Sequence, residues 1–242
     1  MVQPPDAKLY EGKAKILYAT TDPRILVQEF KDDLTAFNAQ KKGTFFGKGA
    51  LNCQISAVLF ELLASRGVPV HFRSLESPRR MLIDRLEMVP LEVVVRNRVA
   101  GSLAKRLGIP EGEELSFPVL EWYYKRDDLG DPMVNRDHIR VLKLASDAVL
   151  DKIREIAVKI NEILLPFYQE RGILLVDMKL EFGWNSAGDL VLGDEIDGDT
   201  SRLWEAETGA RLDKDLFRLD LGSVKDGYEK IYEKVVGHAN ES

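Results

Sequence analysis

One cysteine and three histidines are all that the 242-residue chain offers in the way of thiol and imidazole metal ligands. A single thiol, Cys53, excludes an intramolecular disulfide and any metal centre built from several cysteines, and it suits a reducing, cytoplasmic setting. His71, His138 and His238 are far apart and none stands in a His-x-x-x-His pair, so a zinc centre has little support. Any metal is expected on oxygen. No apolar run approaches the roughly 20 residues of a membrane helix, and the opening MVQPPDAKLYEGK lacks the apolar core of a signal peptide. Charge of one sign is also missing. The 34 Lys and Arg stand against 40 Asp and Glu, a net −6, so general attraction to nucleic acid or anionic membrane is not expected. The 45% hydrophobic and 31% charged residues exclude a wholly disordered or collagen-like chain and fit one soluble domain spanning 1–242.

Periodicity supplies the elements. Short strands are expected within Lys8 to Thr20 around a Gly12 turn, and another at Ile25 to Phe30. Leu51, Ile55, Val58, Leu59, Leu62 and Leu63 recur at helical spacing, with Gly67 as terminator. Val70 to Phe72, Met81 to Met88 and Leu91 to Val99 read as an antiparallel meander punctuated by Pro78 and Pro90. Residues 108–135, rich in Pro, Gly and acidic side chains, read as irregular connections and a lid. An amphipathic helix is predicted from the N-cap Ser146 toward Arg171, with Pro166 kinking its end. Ile173 to Gly183 and Leu190 to Ile196 form a predicted hairpin about Asn185 to Asp189, and Val224 to Val236 a final helix.

The hairpin carries the strongest chemistry. In ILLVDMKLEFG, Asp177, Lys179 and Glu181 share one face of a strand while Val176, Met178, Leu180 and Phe182 share the other. A turn near Ser186 and Ala187 brings Glu181 opposite the neighbourhood of Asp194, within about one residue of register. Two converging carboxylates suit Mg²⁺, which takes carboxylate oxygen together with substrate phosphates, and Lys179 between them neutralises an anion. Alternation alone better describes a half-exposed strand with weak surface pairs. The DEIDGDTSR that follows, with acidic residues, hydroxyls and Arg202, favours a polar anion-binding loop.

LEVVVRNRVAGS offers Arg96 and Arg98 from a buried strand and the hydroxyl of Ser102 at a glycine turn, donors for a phosphate or simply solvent-facing arginines. EGKAK lacks the Walker pattern; its Gly12 turn with Lys13 and Lys15 can lie over nucleotide phosphates, or the lysines are merely solvated. Gly47 to Gly49 can present backbone donors to an anion or simply begin a helix. Cys53 reads as a packed small side chain, and His138 as a surface or structural histidine.

On LEVVVRNRVAGS, LLVDMKLEFG and LGDEIDGDTSRLW, with KLYEGKAKILY, the GKG segment, DPMVN and DKDLFR in order, the chain resembles the phosphoribosylaminoimidazole-succinocarboxamide synthase (SAICAR synthetase) family over nearly its whole length. The resemblance implies an α+β fold of two mixed subdomains, about 1–88 and 89–242, with antiparallel sheets, packed helices and an ATP site in the cleft, ATP-grasp- and kinase-like in outline. It implies ATP-dependent ligation of L-aspartate to the carboxylate of carboxyaminoimidazole ribonucleotide, with Mg²⁺, through an acyl phosphate, by a homodimer. By matching motif, Lys13 and Lys15 fall on ATP phosphates, Met88 borders adenine, and Glu181 and Asp194 hold magnesium. Arg96, Ser102 and Arg202 anchor the ribonucleotide phosphate, and Asp177 and Lys179 line the reacting imidazole end. Lys125, Asp127, Asp131 and Asn135 lie in a loop implied to contribute to substrate or aspartate recognition. Asp84 stands where the family commonly has lysine, Arg126 replaces a common Asn or Asp, and Cys53 a common Asn. A small-molecule kinase and a catalytically silent nucleotide-binding module are the alternatives, separated from the ligase by whether phosphate release needs aspartate.

Overall fold

The computed structural model describes residues 6–36 and 40–237; His238 lies outside them. The amino-terminal half begins with β1 (Lys8–Glu11), β2 (Lys15–Ala19), β3 (Ile25–Phe30), the hairpin β4 (Asp33–Ala36) and β5 (Lys41–Thr44), α1 (Lys48–Ser65), β6 (Phe72–Ser77) and β7 (Arg80–Asp84). Five of these strands make an antiparallel sheet in the order β1-β2-β3-β7-β6. Helix α1 packs on that sheet and will also meet the last helix of the chain, which is why Cys53, Ile55, Ala57, Leu59, Phe60 and Leu63 are all buried and its apolar residues occupy most of its circumference. Cys53 is fully buried, and burial pushes its thiol up to about 12, so it is inert packing as its apolar neighbours predict.

The chain then builds β8 (Glu87–Arg98), α2 (Ser102–Leu107), β9 (Glu114–Tyr124), a 3₁₀ turn (Asp127–Leu129), β10 (Met133–Val134), α3 (Arg136–Val141), α4 (Asp147–Gln169), β11 (Ile173–Trp184), β12 (Leu190–Gly193), β13 (Ser201–Glu205), α5 (Asp215–Leu219) and α6 (Val224–Val235). The second sheet runs β10-β9-β8-β11-β12, and β13 also pairs with β11. Helix α4, capped by Ser146 accepting from the Val149 N–H, lays Leu150, Ile153, Ala157, Ile160 and Leu164 on the apolar face of β11 and β8. Helix α6 packs against α1, so the two halves share one core.

Two expectations are corrected. Residues 108–135 are not mainly irregular: β9 occupies eleven of them, because Leu120, Trp122 and Tyr124 alternate toward the core and Pro118 falls where the ladder with β8 is already irregular, between Arg96 and Arg98. Pro90 does not divide two strands; β8 passes straight through it, at the irregularity in its pairing between Glu181 and Gly183 of β11, where the Lys125 N–H donates to the Pro90 carbonyl. Pro166 sits within α4, which continues to Gln169. No helix among the described residues is long and apolar enough to cross a membrane.

One buried titratable group makes the fold pH-sensitive. His71 is 2% exposed, its Nε2 has no hydrogen-bond partner, and burial, helped by the charge of Lys15, pushes the imidazole down to about 3. The unfolded chain therefore binds a proton that the folded one refuses between pH 6.5 and about 3. Stability from this group is present above that window and is lost as pH falls through it, by at most about 1.4 kcal/mol per pH unit. Urea denaturation from pH 7 to pH 4 should show His71→Gln losing stability less steeply than the parent; equal slopes would remove His71 from the account.

Candidate active site

Strand β11 is the spine of the site. Its central pairings set Asp177 beside Arg96, Lys179 beside Val94 and Glu181 beside Glu92 on β8, and these continue onto β9 as Val119, Glu121 and Tyr123. Because side chains alternate, all of these positions share the sheet face opposite α4. On the other edge, β12 pairs with residues 181–184 and β13 with residues 173–178, so the segment from Asp194 to Thr200 fills the gap between them, and the Lys179 N–H donates to the Thr200 carbonyl. Glu181 lies opposite Gly193, which places Asp194 one residue beyond, as the predicted register requires.

At one end of this face, Arg96 is 2% exposed and donates from Nε to Glu121 at 2.7 Å, from Nη1 to Asp177 at 2.6 Å, and from Nη2 to the Ser102 hydroxyl at 3.1 Å. Arg202 donates to Asp177 at 2.9 Å and through Nε to Asp215 at 2.7 Å, which also receives Arg218 at 2.6 Å. Arg106 pairs with the far oxygen of Glu121. Four guanidiniums thus meet three carboxylates, an arrangement with positive charge to spare for an anion. Burial opposes the charged form of Arg202, and Asp177 and Asp215 more than compensate, holding its pKa above the ordinary value. Gly101, at φ +53, lets the backbone pass under this cluster: a Cβ there would lie 2.6 Å from Arg202 Nη2. Arg98 does not join it; past the irregularity in the ladder it turns to Glu114 at 2.6 Å and the Gly112 carbonyl at 3.1 Å.

At the other end, Lys179 donates to Glu181 at 2.6 Å and to Asp194 at 3.0 Å. Lys125 pairs with Glu181, and Lys15 with Asp194 and, at 3.1 Å, with Glu195. Burial alone would raise the Glu181 carboxyl, but Lys179, Lys125 and Lys15 hold it well below the usual carboxylate range. Burial likewise opposes charge on Lys179, and Glu181 and Glu92 override it, so Lys179 stays cationic and is no proton acceptor. Glu181 is 2% exposed, so the weakly paired surface strand is not what the molecule builds.

These residues open on a cavity of about 1000 Å³ lined by the Gly12 loop with Lys13 and Lys15, by Lys42 and Thr44 of β5, and by Glu92, Lys125, Asp127, Asp131, Lys179, Glu181 and Asp194. Lys13 crosses it to reach Asp127 at 2.7 Å. A second cavity of about 260 Å³ shares Lys15, Glu181 and Asp194 with the first but is walled by Leu17, Leu26, Ile83, Leu86 and Met88. An apolar slot opening onto a chamber that carries several lysines beside its carboxylates suits a flat base joined to a polyphosphate. Asp84 also lines the slot and is held by Arg73 at 2.6 Å.

Two expected contacts serve structure instead. Asn135 caps α3, accepting from the His138 N–H at 2.9 Å while His138 Nδ1 accepts from the Asn135 N–H, so both belong to a capping box. The N terminus of α1 is occupied internally: Asp32 accepts from the Gly49 N–H at 2.8 Å, and Lys48, 1% exposed, pairs with Asp199. The buried acidic group of Glu195, Asp197 and Asp199 thus takes its cation from the chain. Glu92, Glu121, Tyr123 and Asp215 were not singled out from sequence. Glu121 and Tyr123 lie in the stretch read as irregular, where their alternation with Leu120, Trp122 and Tyr124 was the available signal.

A family model described as SAICAR synthetase matches residues 8–235. The chain belongs to the SAICAR synthetase family. It is 52% identical over 231 residues to the phosphoribosylaminoimidazole-succinocarboxamide synthase of Thermococcus kodakarensis, covering 96% of this chain and 97% of that one. Among solved structures, the synthase from Ehrlichia chaffeensis superposes with a TM-score of 0.92 at 44% identity, covering 95% of this chain and 98% of that one. A SAICAR synthetase in complex with ADP superposes with a TM-score of 0.91 at 51% identity, covering 94% and 97%.

The Arg96 network also sets stability. Arg96→Met leaves Asp177 and Glu121 buried with fewer partners and should cost about 3–5 kcal/mol in urea denaturation. The same change at Arg126, whose pair with Asp128 is exposed, should leave the midpoint essentially unmoved. Equal effects would mean that the buried network is not what holds this end of the sheet.

Proposed function

We propose that this chain joins L-aspartate to the carboxylate of carboxyaminoimidazole ribonucleotide with hydrolysis of ATP to ADP and phosphate, a carbon–nitrogen ligation in purine biosynthesis. The observation that carries the reading is the layout along β11. The arginine cluster surrounds Asp177, the carboxylate pair begins at Glu181, and four residue steps along the strand separate them by about 13 Å. A ribonucleotide laid along that strand has its phosphate among Arg96, Ser102 and Arg202 and its base toward Lys179, where the second substrate's phosphates arrive from the Lys13 and Lys15 loop. ATP then occupies the two joined cavities, with adenine against Met88, and residues 1–88 supply most of its walls while 89–242 supply the ribonucleotide and metal face.

Glu181 and Asp194 are hard oxygen donors at the mouth shared by both cavities, which fits Mg²⁺ bound jointly with phosphates. When bound, the ion neutralises phosphate charge during transfer. The chain's own work is positioning and electrostatics. A free carboxylate resists amine attack, so one of its oxygens first takes the γ-phosphoryl group and ADP departs; the aspartate amine then forms the new bond to that carbon as phosphate leaves and the nitrogen gives up a proton. Lys179, held cationic by its neighbours, stands over this centre as a charge partner. Arg202 and Arg96 orient the far end by fork geometry. Lys125, Asp127 and Asp131 line the remaining side of the chamber, where the amino acid enters. The paucity of cysteine accords with a cytoplasmic enzyme, and a homodimer accords with the family.

The test is phosphate release from Mg-ATP and carboxyaminoimidazole ribonucleotide with and without L-aspartate, with the product followed by mass. Equimolar, aspartate-dependent phosphate and SAICAR are expected; aspartate-independent transfer would indicate a kinase, and nucleotide binding without turnover a silent module. Lys179→Met should lower kcat about 10²–10³-fold, the scale of losing one electrostatic contact to the reacting group. Arg202→Lys should act on the ribonucleotide, raising its KM about tenfold with the KM for ATP little changed; an unchanged ribonucleotide KM would take Arg202 out of the phosphate site.

A further inference from the structure

Gln28 is an amide in the middle of β3, between Val27 and Glu29, and it is 2% exposed. Its Nε2 crosses from the first sheet to donate to the backbone carbonyl of Asp194 at 3.2 Å. The acceptor is a carbonyl, which fixes the orientation of the amide. Asp194 needs such a partner. It stands one residue past the end of β12, has no ladder partner there, and adopts φ +63, a left-handed conformation uncommon for a residue with a side chain. The residues before it are held by backbone alone: the His71 N–H donates to the Leu192 carbonyl at 2.8 Å and the Leu192 N–H to the Pro69 carbonyl at 2.9 Å. The turn at Asp194 is therefore where this segment depends on side chains. Gln28 holds its carbonyl and Lys15 its carboxylate. Gln28 also lines the smaller, apolar cavity beside Leu17, Leu26 and Met88, and it pairs across the ladder with Leu17.

We propose that Gln28 is a positioning residue that couples occupancy of the base slot to the metal-binding geometry of Asp194. One side chain faces the slot and fixes the backbone of a metal ligand, so a base seated against Gln28 restricts the amide in the rotamer that holds Asp194. The inference rests on the reading of Asp194 as a magnesium ligand given above, and it adds a residue that touches neither phosphate nor metal.

The experiment measures ADP affinity by isothermal titration calorimetry in excess Mg²⁺ and in EDTA, and the quantity read is the ratio of the two. Gln28→Met keeps the length and burial but has no donor; Gln28→Glu keeps the shape but cannot donate as a carboxylate, and serves where the first variant does not fold. Either should reduce the Mg²⁺-dependent tightening about threefold to tenfold, the worth of one buried hydrogen bond, over and above any change that the altered slot wall makes to the two affinities alike. The half-saturating Mg²⁺ concentration for turnover should rise by the same factor. Asp194→Asn is the reference. If it abolishes the Mg²⁺ effect while the Gln28 variants retain it, the coupling is overturned and the metal site stands. If Asp194→Asn itself retains the effect, the metal assignment fails and the coupling with it. A parallel fall of both affinities in the Gln28 variants would show a cavity wall and nothing more, and would overturn the proposal.

Discussion

A buried strand face that carries charge is the constraint from which the rest follows. Asp177 and Glu181 of β11 are each no more than 3% exposed, yet both are carboxylates in a sheet whose other face is a hydrocarbon core. Leaving either unpaired would cost several kcal/mol. Neighbouring elements therefore bring cations to that face: Arg96 from β8 and Arg202 from β13 to Asp177, Lys125 from just past the end of β9 to Glu181, and Lys15 from β2 of the other sheet to the adjoining Asp194. The partners of the two carboxylates differ in kind. Asp177 is held by planar guanidiniums that match phosphate geometry, and Glu181 by flexible ammonium groups that act as point charges. One end of the strand is thus rigid and the other exchangeable.

That difference organises the two sheets about the site. The rigid end lies wholly within the second sheet and the segments that follow it, so its guanidinium donors are fixed by Glu121 and Asp215. The exchangeable end lies at the seam, where Lys15 and the Gly12 loop belong to one sheet and Glu181 and Asp194 to the other. Neither half alone assembles the chamber. Its walls are kept in register by backbone bonds between Pro69, His71 and Leu192, and by the packing of α1 against α6.

Much of this was legible in the sequence because the face of β11 is local: the alternation in DMKLEFG fixes which side chains travel together, and the short turn at Asn185 to Asp189 fixes the register that delivers Asp194. The two long helices were legible for the same reason, since their apolar residues recur at helical spacing, and α4 is also capped by Ser146. What was not legible is non-local. Nothing near Glu121 says that its carboxylate will meet Arg96, twenty-five residues earlier in the chain. The prolines of β8 and β9 read as breaks because their cost in a ladder depends on whether the neighbouring strand happens to be irregular at that point, and in both strands it is. Composition likewise misread β9: its Pro and Glu residues look like loop, while the apolar positions that make it a strand matter only once β8 lies alongside.

The lysines at the seam have their own logic. In the structure Lys13, Lys15, Lys125 and Lys179 each already hold a carboxylate. On the reading proposed above, an incoming polyphosphate would replace one anion with another on the same ammonium groups, and no bare cluster of positive charge has to be stabilised while the chamber waits. The exchange would free Glu181 and Asp194 from their lysines where a divalent cation would accompany the phosphates, so the lysines and the metal would trade anionic partners. A site arranged in this way would bind the metal weakly without nucleotide and the nucleotide weakly without metal. That mutual dependence would be a consequence of pairing the charges in advance, and it would follow from the same burial that forced Asp177 and Glu181 to find partners at all.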